Sequence, residues 1–332
     1  MALGVAVTLV FMWLALRDVN FREVASAVAR ANWALLIALS VPFYALLVWL
    51  RALRWKHLIA PIQVMDTGPV VRATAVGFMT NNVFPLRMGE VVRPWYLARE
   101  TGVSATALFG TVILERVLDT VAVVAMVFLV LGVWGAGGEA ELRRGALLLV
   151  PVAAIPVVGL VLLKLAPERV LSVALFCLRP FPVRISELVE RTLRHFTEGL
   201  GALTGGRHLL WISVYTVLIT LVVPVVPVWA AFLSLGLQLG SPFQVLGAAW
   251  TTQAAIGVAV ALPSAPGFFG IFHWACKLAL VRFGVAPGTA VAAGTLIHTV
   301  MWLTLTGMGL AVLRARRTPL EEVDRAAGPP TS

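Results

Sequence analysis

Residues Thr80 to Asp119 read TNNVFPLRMGEVVRPWYLARETGVSATALFGTVILERVLD, in the middle of a strongly apolar chain. The charged side chains of this stretch are Arg87, Glu90, Arg93, Arg99, Glu100, Glu115, Arg116 and Asp119. An ionisable group that faces lipid at bilayer depth costs about 2.5–3.5 kcal/mol on insertion scales. These groups must therefore face protein, water or a polar ligand, which makes the stretch a candidate functional site.

The composition is that of a polytopic membrane protein. Of the 332 residues, 60% are hydrophobic and 13% are charged, whereas soluble proteins carry about 25% charged residues. The net charge of +10 comes from Arg residues scattered between apolar segments, which is typical of cytoplasmic loops and does not indicate nucleic-acid binding. Cys177 and Cys276 stand alone and the histidines form no metal-binding motif, so no disulfide framework, metal site or cofactor is predicted.

The apolar segments predict an all-α protein with six full transmembrane spans. These predicted spans cover residues 2–16, 33–50, 117–134, 146–165, 209–235 and 290–313. Residues 17–32 have helical spacing and are predicted to lie in the membrane interface. Residues 185–200 are predicted to form a cytoplasmic surface helix. Residues 1–315 form one predicted transmembrane domain, and residues 316–332 a polar, disordered cytoplasmic tail.

Two further apolar regions contain helix-breaking residues and are predicted to be broken or re-entrant hairpins, at 67–115 and 243–283. Arg-rich ends at 51–56, 169–207 and 314–317 predict cytoplasmic positions, so both termini are expected in the cytoplasm. The first hairpin then enters and leaves on the cytoplasmic side, and the second on the outer side. Eight full spans, with the hairpin limbs counted as helices, are the alternative. Opposed broken hairpins are typical of transporters built from inverted repeats, although the two halves share no clear sequence match.

The break around Pro85 and Gly89 is a predicted phosphate-binding site. A new helix is predicted to begin near Glu90, so its N-terminal amides and the positive end of its dipole point at the break. Arg87 lies there as well, and a guanidinium group can bind phosphate through two hydrogen bonds. Arg93 shares a helical face with Glu90, so contact with a ligand and an internal ion pair between them are both open.

A second charged group lies near the end of the same stretch. Glu115, Arg116 and Asp119 carry one surplus negative charge, which Arg87 or Arg93 could balance. The structural interpretation is a buried ion network that joins two helices, and the functional interpretation is a part of the binding site.

Other polar residues lie beside the breaks. Asn81 and Asn82 end the helix before the first break, where helix capping and contact with a polar headgroup are both open, and capping is favoured for at least one of the two. Pro266 and Gly267 lie in the second break, which runs from residue 263 to 270. His273 follows this break and His298 lies in the last span. For His298, a hydrogen bond to a backbone carbonyl is weighed against proton transfer.

Together these motifs resemble the flippase-like transmembrane region of bacterial lysylphosphatidylglycerol synthases and its stand-alone bacterial and archaeal relatives. The resemblance rests on Asn82-x-x-Pro85-x-Arg87-x-Gly89-Glu90-x-x-Arg93, Glu115-Arg116-x-x-Asp119, Pro263-x-x-Pro266-Gly267-x-x-Gly270, Phe283-Gly284-Val285 and Arg54-Trp55. It implies a multi-pass protein of a bacterial or archaeal cell membrane that moves lipids or lipid-linked molecules between leaflets. Substrates within the family include aminoacylated phosphatidylglycerol and polyprenyl-linked sugars. Many members have Glu where this chain has His273, which puts a carboxylate role at that position in doubt.

The resemblance and the residues together predict a lipid flippase or transporter rather than an enzyme, with an anionic phospholipid or lipid-linked headgroup as substrate. The predicted substrate-binding residues are Asn82, Arg87, Glu90, Arg93, Glu115, Arg116, Asp119, Pro266, Gly267, His273 and His298. The chain length leaves no room for an aminoacyl-transfer domain, so lipid aminoacylation is not expected. One alternative is a membrane enzyme that acts on a lipid phosphate, although no metal-ligand set or nucleophile motif is found. Another is a non-catalytic partner subunit of a lipid or glycan synthase.

Overall fold

The computed structural model describes residues 2–84, 87–134, 206–261 and 266–327, together with residue 190 and parts of 151–177. These residues are helical and contain no strand, as the apolar segments predict. The helices are α1 (Ala2–Leu16), α2 (Phe21–Arg30), α3 (Trp33–Ile59), α4 (Thr67–Val83), α5 (Gly89–Thr101), α6 (Ala105–Trp134), α7 (Pro167–Cys177), α8 (Gly206–Val217), α9 (Val225–Ser234), α10 (Pro242–Ala261), α11 (Ile271–Val281), α12 (Pro287–Ala315) and α13 (Leu320–Ala327).

Five helical segments of the described chain are long and apolar enough to cross a membrane: α3, α6, the run from α8 to α9, α10 and α12. A π-helical turn at Leu218–Val222 follows α8 in that run. The 20-residue helix α10 was predicted as one limb of the second hairpin, and its length suits the alternative of full spans. Most of the predicted span 146–165 and the surface helix 185–200 lie outside the described residues.

Two helices extend further than the sequence predicts. Helix α3 continues to Ile59 instead of ending at Leu50, and α6 begins at Ala105 instead of Val117. Both predicted ends were set by charged residues, which were assumed to leave the membrane. These charges are instead paired between helices, so each helix can continue through them. Glu115 therefore lies inside one continuous 30-residue helix rather than at the end of a hairpin limb.

Helices α4 and α5 form the first hairpin, and glycine allows their close approach. A Cβ atom on Gly89 would overlap the carbonyl oxygen of Gly77 and lie 2.6 Å from the Oδ1 atom of Asn81. The backbone amide of Gly89 donates a 2.8 Å hydrogen bond to the same Oδ1 atom. The predicted helix start near Glu90 is confirmed, and Asn81 on α4 provides its cap.

The second hairpin consists of α10, a 3₁₀ turn at Pro266–Phe268 and α11. Its turn needs left-handed backbone, with φ of 70° at Gly267 and 81° at Gly270, and glycine adopts this conformation without strain. The Nζ atom of Lys277 on α11 donates to the carbonyl oxygens of Leu14 at 3.3 Å and Ala15 at 3.2 Å. This contact satisfies carbonyl groups at the C-terminus of α1 and fixes α1 against the hairpin.

The contacts between helices repeat in the two halves of the molecule. Helix α4 packs on α5 and α12, and in the other half α10 packs on α11 and α6. Likewise, α5 packs on α6, and α11 packs on α12. Helix α3 is antiparallel to the α8–α9 run: Asn32 N donates to Ser234 O at 2.9 Å at one end, and the Nδ1 atoms of His57 and His208 lie 3.1 Å apart at the other. This is the pattern of an inverted repeat, although the two halves share no clear sequence match.

Two peripheral segments pack against this framework. Helix α2 lies within the predicted interfacial segment, and its Glu23 carboxylate accepts hydrogen bonds from the backbone amide and hydroxyl of Thr289 at the start of α12, both at 2.9 Å. The prediction of a disordered tail is wrong for α13. Val323 of α13 is fully buried and Glu322 pairs with Arg99 of α5. An eight-residue segment can be ordered here because it has both an apolar contact and an ion pair with the hairpin.

Candidate functional site

Five arginines and three carboxylates meet where α3, α5 and α6 come together. Arg51 and Arg54 come from α3, Arg87 from the residues before α5, Glu90 and Arg93 from α5, and Glu115, Arg116 and Asp119 from α6. We call this group the arginine cluster. Its inner residues are buried, and its outer residues are partly exposed.

Glu115 lies at the centre of the arginine cluster, and its side chain is fully buried. The Nη1 atom of Arg93 donates to both carboxylate oxygens, at 3.1 and 3.0 Å. The Nη2 atoms of Arg54 and Arg116 lie 3.2 and 3.0 Å from Oε1, and Arg51 Nη1 lies at 3.5 Å. A buried carboxylate must be paired because its desolvation costs several kcal/mol, and here four guanidinium groups surround it.

Asp119 lies one helical turn beyond Glu115 on the same face of α6. Its Oδ1 atom is 2.6 Å from Arg54 Nη2, and its Oδ2 atom is 2.9 Å from Arg51 Nη1 and from Arg116 Nη2. Both carboxylates of α6 therefore bind α3, so the cluster joins these two helices as the structural interpretation predicted.

The pairing with α3 is what the sequence analysis missed. Arg51 and Arg54 were interpreted as the cytoplasmic boundary of a span, but the Arg54 side chain has no exposed surface. Their spacing of three residues puts both on one face of α3. Glu115 and Asp119, spaced by four residues, likewise lie on one face of another helix. These two spacings were the signal that could have indicated an internal site.

Arg93 is the second buried residue of the cluster, with 6% of its surface exposed. Its guanidinium lies 3.8 Å from the ring centroid of Trp55, and the indole donates to the Thr111 hydroxyl at 2.8 Å. The ion pair suggested between Arg93 and Glu90 is not formed. The fully buried carboxylate of Glu115 attracts Arg93 instead, because burial strengthens an ion pair.

Arg87 and Arg116 form the partly exposed edge of the cluster, with 29% of each side chain exposed. Both approach Glu90 Oε1, at 3.6 and 3.7 Å, which are ion-pair distances too long for hydrogen bonds. The backbone of Arg87 is left-handed, with φ of 57°. Its guanidinium lies 6.0 Å from the ring centroid of Phe268, so the first break faces the second.

Asn82 joins the end of α4 to α12. Its Nδ2 atom donates to the Thr306 hydroxyl at 3.1 Å and to the Trp302 carbonyl at 3.4 Å, and the Trp302 indole donates to the Asn82 carbonyl at 3.4 Å. Of the two asparagines, Asn81 therefore provides a helix cap, and Asn82 does not. The side chain connects α4 to α12 because α12, and not the end of α4, supplies its nearest partners.

The two histidines lie beside the second break. His298 Nε2 is 2.6 Å from the carbonyl oxygen of Gly267, which agrees with the backbone-bonding interpretation. The His273 and His298 rings are 5.2 Å apart, and the buried Nδ1 atom of His273 has no hydrogen-bond partner within the described chain. Pro266 begins the same turn, so these four predicted site residues lie together, next to Phe268 and hence to Arg87.

The cluster carries more positive than negative side chains. Within the described ranges, no three His, Cys, Asp or Glu side chains form a group that could hold a metal. All three carboxylates of the cluster form ion pairs with guanidinium groups, and the five arginines outnumber the carboxylates. Planar guanidinium groups can donate paired hydrogen bonds to an anion.

The fold and this cluster define a polytopic α-helical membrane protein with a polar centre. Residues 1–309 match the lysylphosphatidylglycerol synthase transmembrane region, so the chain belongs to that family. It is also similar to a protein named glycosyltransferase AglD from Haloferax volcanii, at 24% identity over 325 residues. The match covers 90% of this chain and 51% of that relative, so the chain spans about half the relative's length. No solved structure matches the chain.

Proposed function

We propose that this protein moves a lipid with a phosphate-containing headgroup between the two leaflets, and that the arginine cluster binds the phosphate. Family membership and the similarity to AglD support a role in lipid or glycan processing. The more specific assignment rests on one observation, the excess of positive charge in the cluster.

The positive excess is two charges, since five arginines face three carboxylates. The Nε atom of each of these arginines is buried without a hydrogen-bond partner in the described part of the chain, and so is Arg93 Nη2. An uncompensated buried charge and an unmade hydrogen bond both cost free energy. A phosphate group that contacts Arg87 and Arg116 at the exposed edge supplies negative charge and several acceptors, so it offsets part of both costs.

The positions of the breaks support transport. The cluster lies at the N-terminus of α5, and Arg87 in the first break lies 6.0 Å from the ring centroid of Phe268 in the second. In transporters of this architecture, the site lies at the interface of two repeats and is reached in turn from either side. A phosphate held at this interface can be released to either leaflet if the hairpins move relative to each other.

The engagement of the carboxylates argues against the enzyme alternative. A general base needs an oxygen that is free to accept a proton from a reactant. Glu115 and Asp119 each contact at least three guanidinium groups. We therefore propose a transport role and not a catalytic one.

Transport is tested with purified protein in liposomes that contain a fluorescent phospholipid, whose inner-leaflet pool is followed by chemical quenching from outside. We expect Arg87→Gln to slow lipid movement at least about tenfold, because it removes both the charge and the paired donors. Arg87→Lys should retain part of the rate, because it keeps only the charge. The double variant Arg87→Gln with Glu90→Gln should recover thermal stability without transport.

Arg22→Gln, on an exposed position of α2, is the control and should leave transport unchanged. Full transport in the double variant would reduce Arg87 to a partner of Glu90 and contradict the proposed phosphate site. Mass spectrometry of the lipid tests the enzyme alternative, because a new covalent species formed by the protein would establish an enzyme.

The orientation in the membrane is tested by cysteine labelling in a background with Cys177→Ala and Cys276→Ala. His57 of α3 contacts His208 of α8, so the Arg-rich ends beside them lie on one side, which the charge distribution predicts to be cytoplasmic. We expect an impermeant thiol reagent added to intact cells to miss Arg207→Cys and to label Asp18→Cys. External labelling of Arg207→Cys would reverse the proposed topology.

A further inference from the structure

We propose that the exposed edge of the arginine cluster selects a phosphate that carries two negative charges, a phosphomonoester or a diphosphate, over the singly charged phosphate of a diester. This inference rests on the proposed phosphate site and adds the chemical class of its ligand. It rests on which side chains of the cluster form short ion pairs and which form long ones.

The inner part of the cluster is tightly paired. Arg93 and Arg54 approach Glu115 at 3.0–3.2 Å, and Arg54 approaches Asp119 at 2.6 Å. The side chains of Arg54 and Glu115 have no exposed surface, and that of Arg93 has 8%. These groups form a closed network that holds the helices together and leaves little access for a ligand.

The contacts to Glu90 at the outer edge are longer, although Arg116 Nη2 also lies 3.0 Å from Glu115 and 2.9 Å from Asp119. Arg87 and Arg116 converge on one oxygen of Glu90 at 3.6 and 3.7 Å, and that buried oxygen accepts no hydrogen bond from the described residues. The Nε atoms of both arginines are also without partners there. Glu90 Oε1 thus lies between two guanidinium groups without a hydrogen bond to either, in the position that a phosphate oxygen would occupy with better geometry.

Charge then decides which phosphate fits. The cluster has a net charge of +2, so a doubly charged phosphate neutralises it and a diester leaves one positive charge uncompensated. The difference of one charge at contact distance corresponds to about 1 kcal/mol even in water, or about fivefold in affinity. We expect at least this preference, because the site is partly shielded from solvent.

Binding is tested by calorimetry on the full chain in a neutral detergent, with two lipids that share the same short acyl chains. At pH 8, dioctanoyl phosphatidic acid should bind at least about fivefold more tightly than dioctanoyl phosphatidylglycerol. At pH 5 the ratio should approach one, because a phosphomonoester loses its second charge below a pKa of about 6. The arginines keep their charge over this range. The diester is the control for any change in the charge of the protein between the two pH values. Such a change, at Glu90, Glu115, Asp119, His273 or His298, acts on both lipids.

A variant of Glu90 tests whether the charge of the cluster determines the affinity for the phosphate. Glu90→Gln raises the cluster charge by one, and we expect it to tighten phosphatidic acid binding about fivefold. Arg99→Gln is the control, because Arg99 pairs with Glu322 outside the cluster. Weaker binding in Glu90→Gln would assign Glu90 to ligand contact and contradict the inference.

The outcomes also separate this inference from the proposed function. Equal affinity for the two lipids at pH 8 overturns the selection of a doubly charged phosphate and leaves lipid transport standing. Binding of neither lipid overturns both. Inorganic pyrophosphate that binds as tightly as phosphatidic acid would keep the charge preference but assign the site to a soluble anion, which contradicts lipid transport.

Discussion

Glu115→Gln is expected to destabilise the protein by about 3–5 kcal/mol, the cost of breaking a buried ion pair by removing one partner. The fully buried carboxylate contacts Arg93, Arg54 and Arg116 at 3.0–3.2 Å, and the amide leaves these guanidinium groups with less compensation. The measurement is thermal unfolding of the purified variant in detergent, together with its yield of monodisperse protein.

The control is a Glu→Gln substitution at a partly exposed ion pair. Glu100→Gln removes a carboxylate that pairs with Arg72 and Arg316 at partly exposed positions, where an ion pair contributes about 0–1 kcal/mol. Adding Arg93→Met to Glu115→Gln should restore part of the lost stability, because it removes one unpaired charge. A melting temperature for Glu115→Gln that equals that of Glu100→Gln would contradict the central role of Glu115.

Gly89→Ala is expected to have a comparable effect through packing alone. The added Cβ would overlap the carbonyl oxygen of Gly77 and lie 2.6 Å from Asn81 Oδ1, so α4 and α5 must move apart. Overpacking of this kind costs about 1–3 kcal/mol or more, and loss of the Asn81 cap adds about 0.5–2 kcal/mol. Because α5 carries Arg93, we expect the variant to lose lipid movement as well as thermal stability.

Gly307→Ala is the matched control. Gly307 lies within α12, and a Cβ there meets no atom within 4 Å, so alanine should be neutral or stabilise the helix by about 0.5–1 kcal/mol. Equal stability of the Gly89→Ala and Gly307→Ala variants would show that the hairpin tolerates separation, and would contradict the close approach of α4 and α5.

The sequence predicted that the charged side chains of residues 80–119 do not face lipid, because charge in an apolar chain is costly. Arg87, Glu90, Arg93, Glu115 and Asp119 could not all face lipid, and they do meet in one cluster. The helix start at Gly89 could be predicted because it depends on local backbone preferences. The backbone partner of His298 agrees with the expectation that a buried polar group finds a hydrogen bond.

Other features depended on neighbours that the sequence does not specify. Arg51 and Arg54 follow an apolar segment, and by local rules such residues mark a membrane boundary. They are internal because two carboxylates of α6, more than 60 positions away in the chain, compensate their charge. The same long-range compensation allows α3 and α6 to extend beyond their predicted ends.

The sequence by itself determined that the protein is an all-α membrane protein with two breaks and a charged region to bury, because hydrophobic content and helix-breaking residues act locally. Only the tertiary structure decided which charges pair, since the free energy of an ion pair depends on distance and burial. It also decided that Asn82 binds α12 and that α13 is ordered against α5. These outcomes depend on contacts between segments distant in sequence, for which local patterns contain no information.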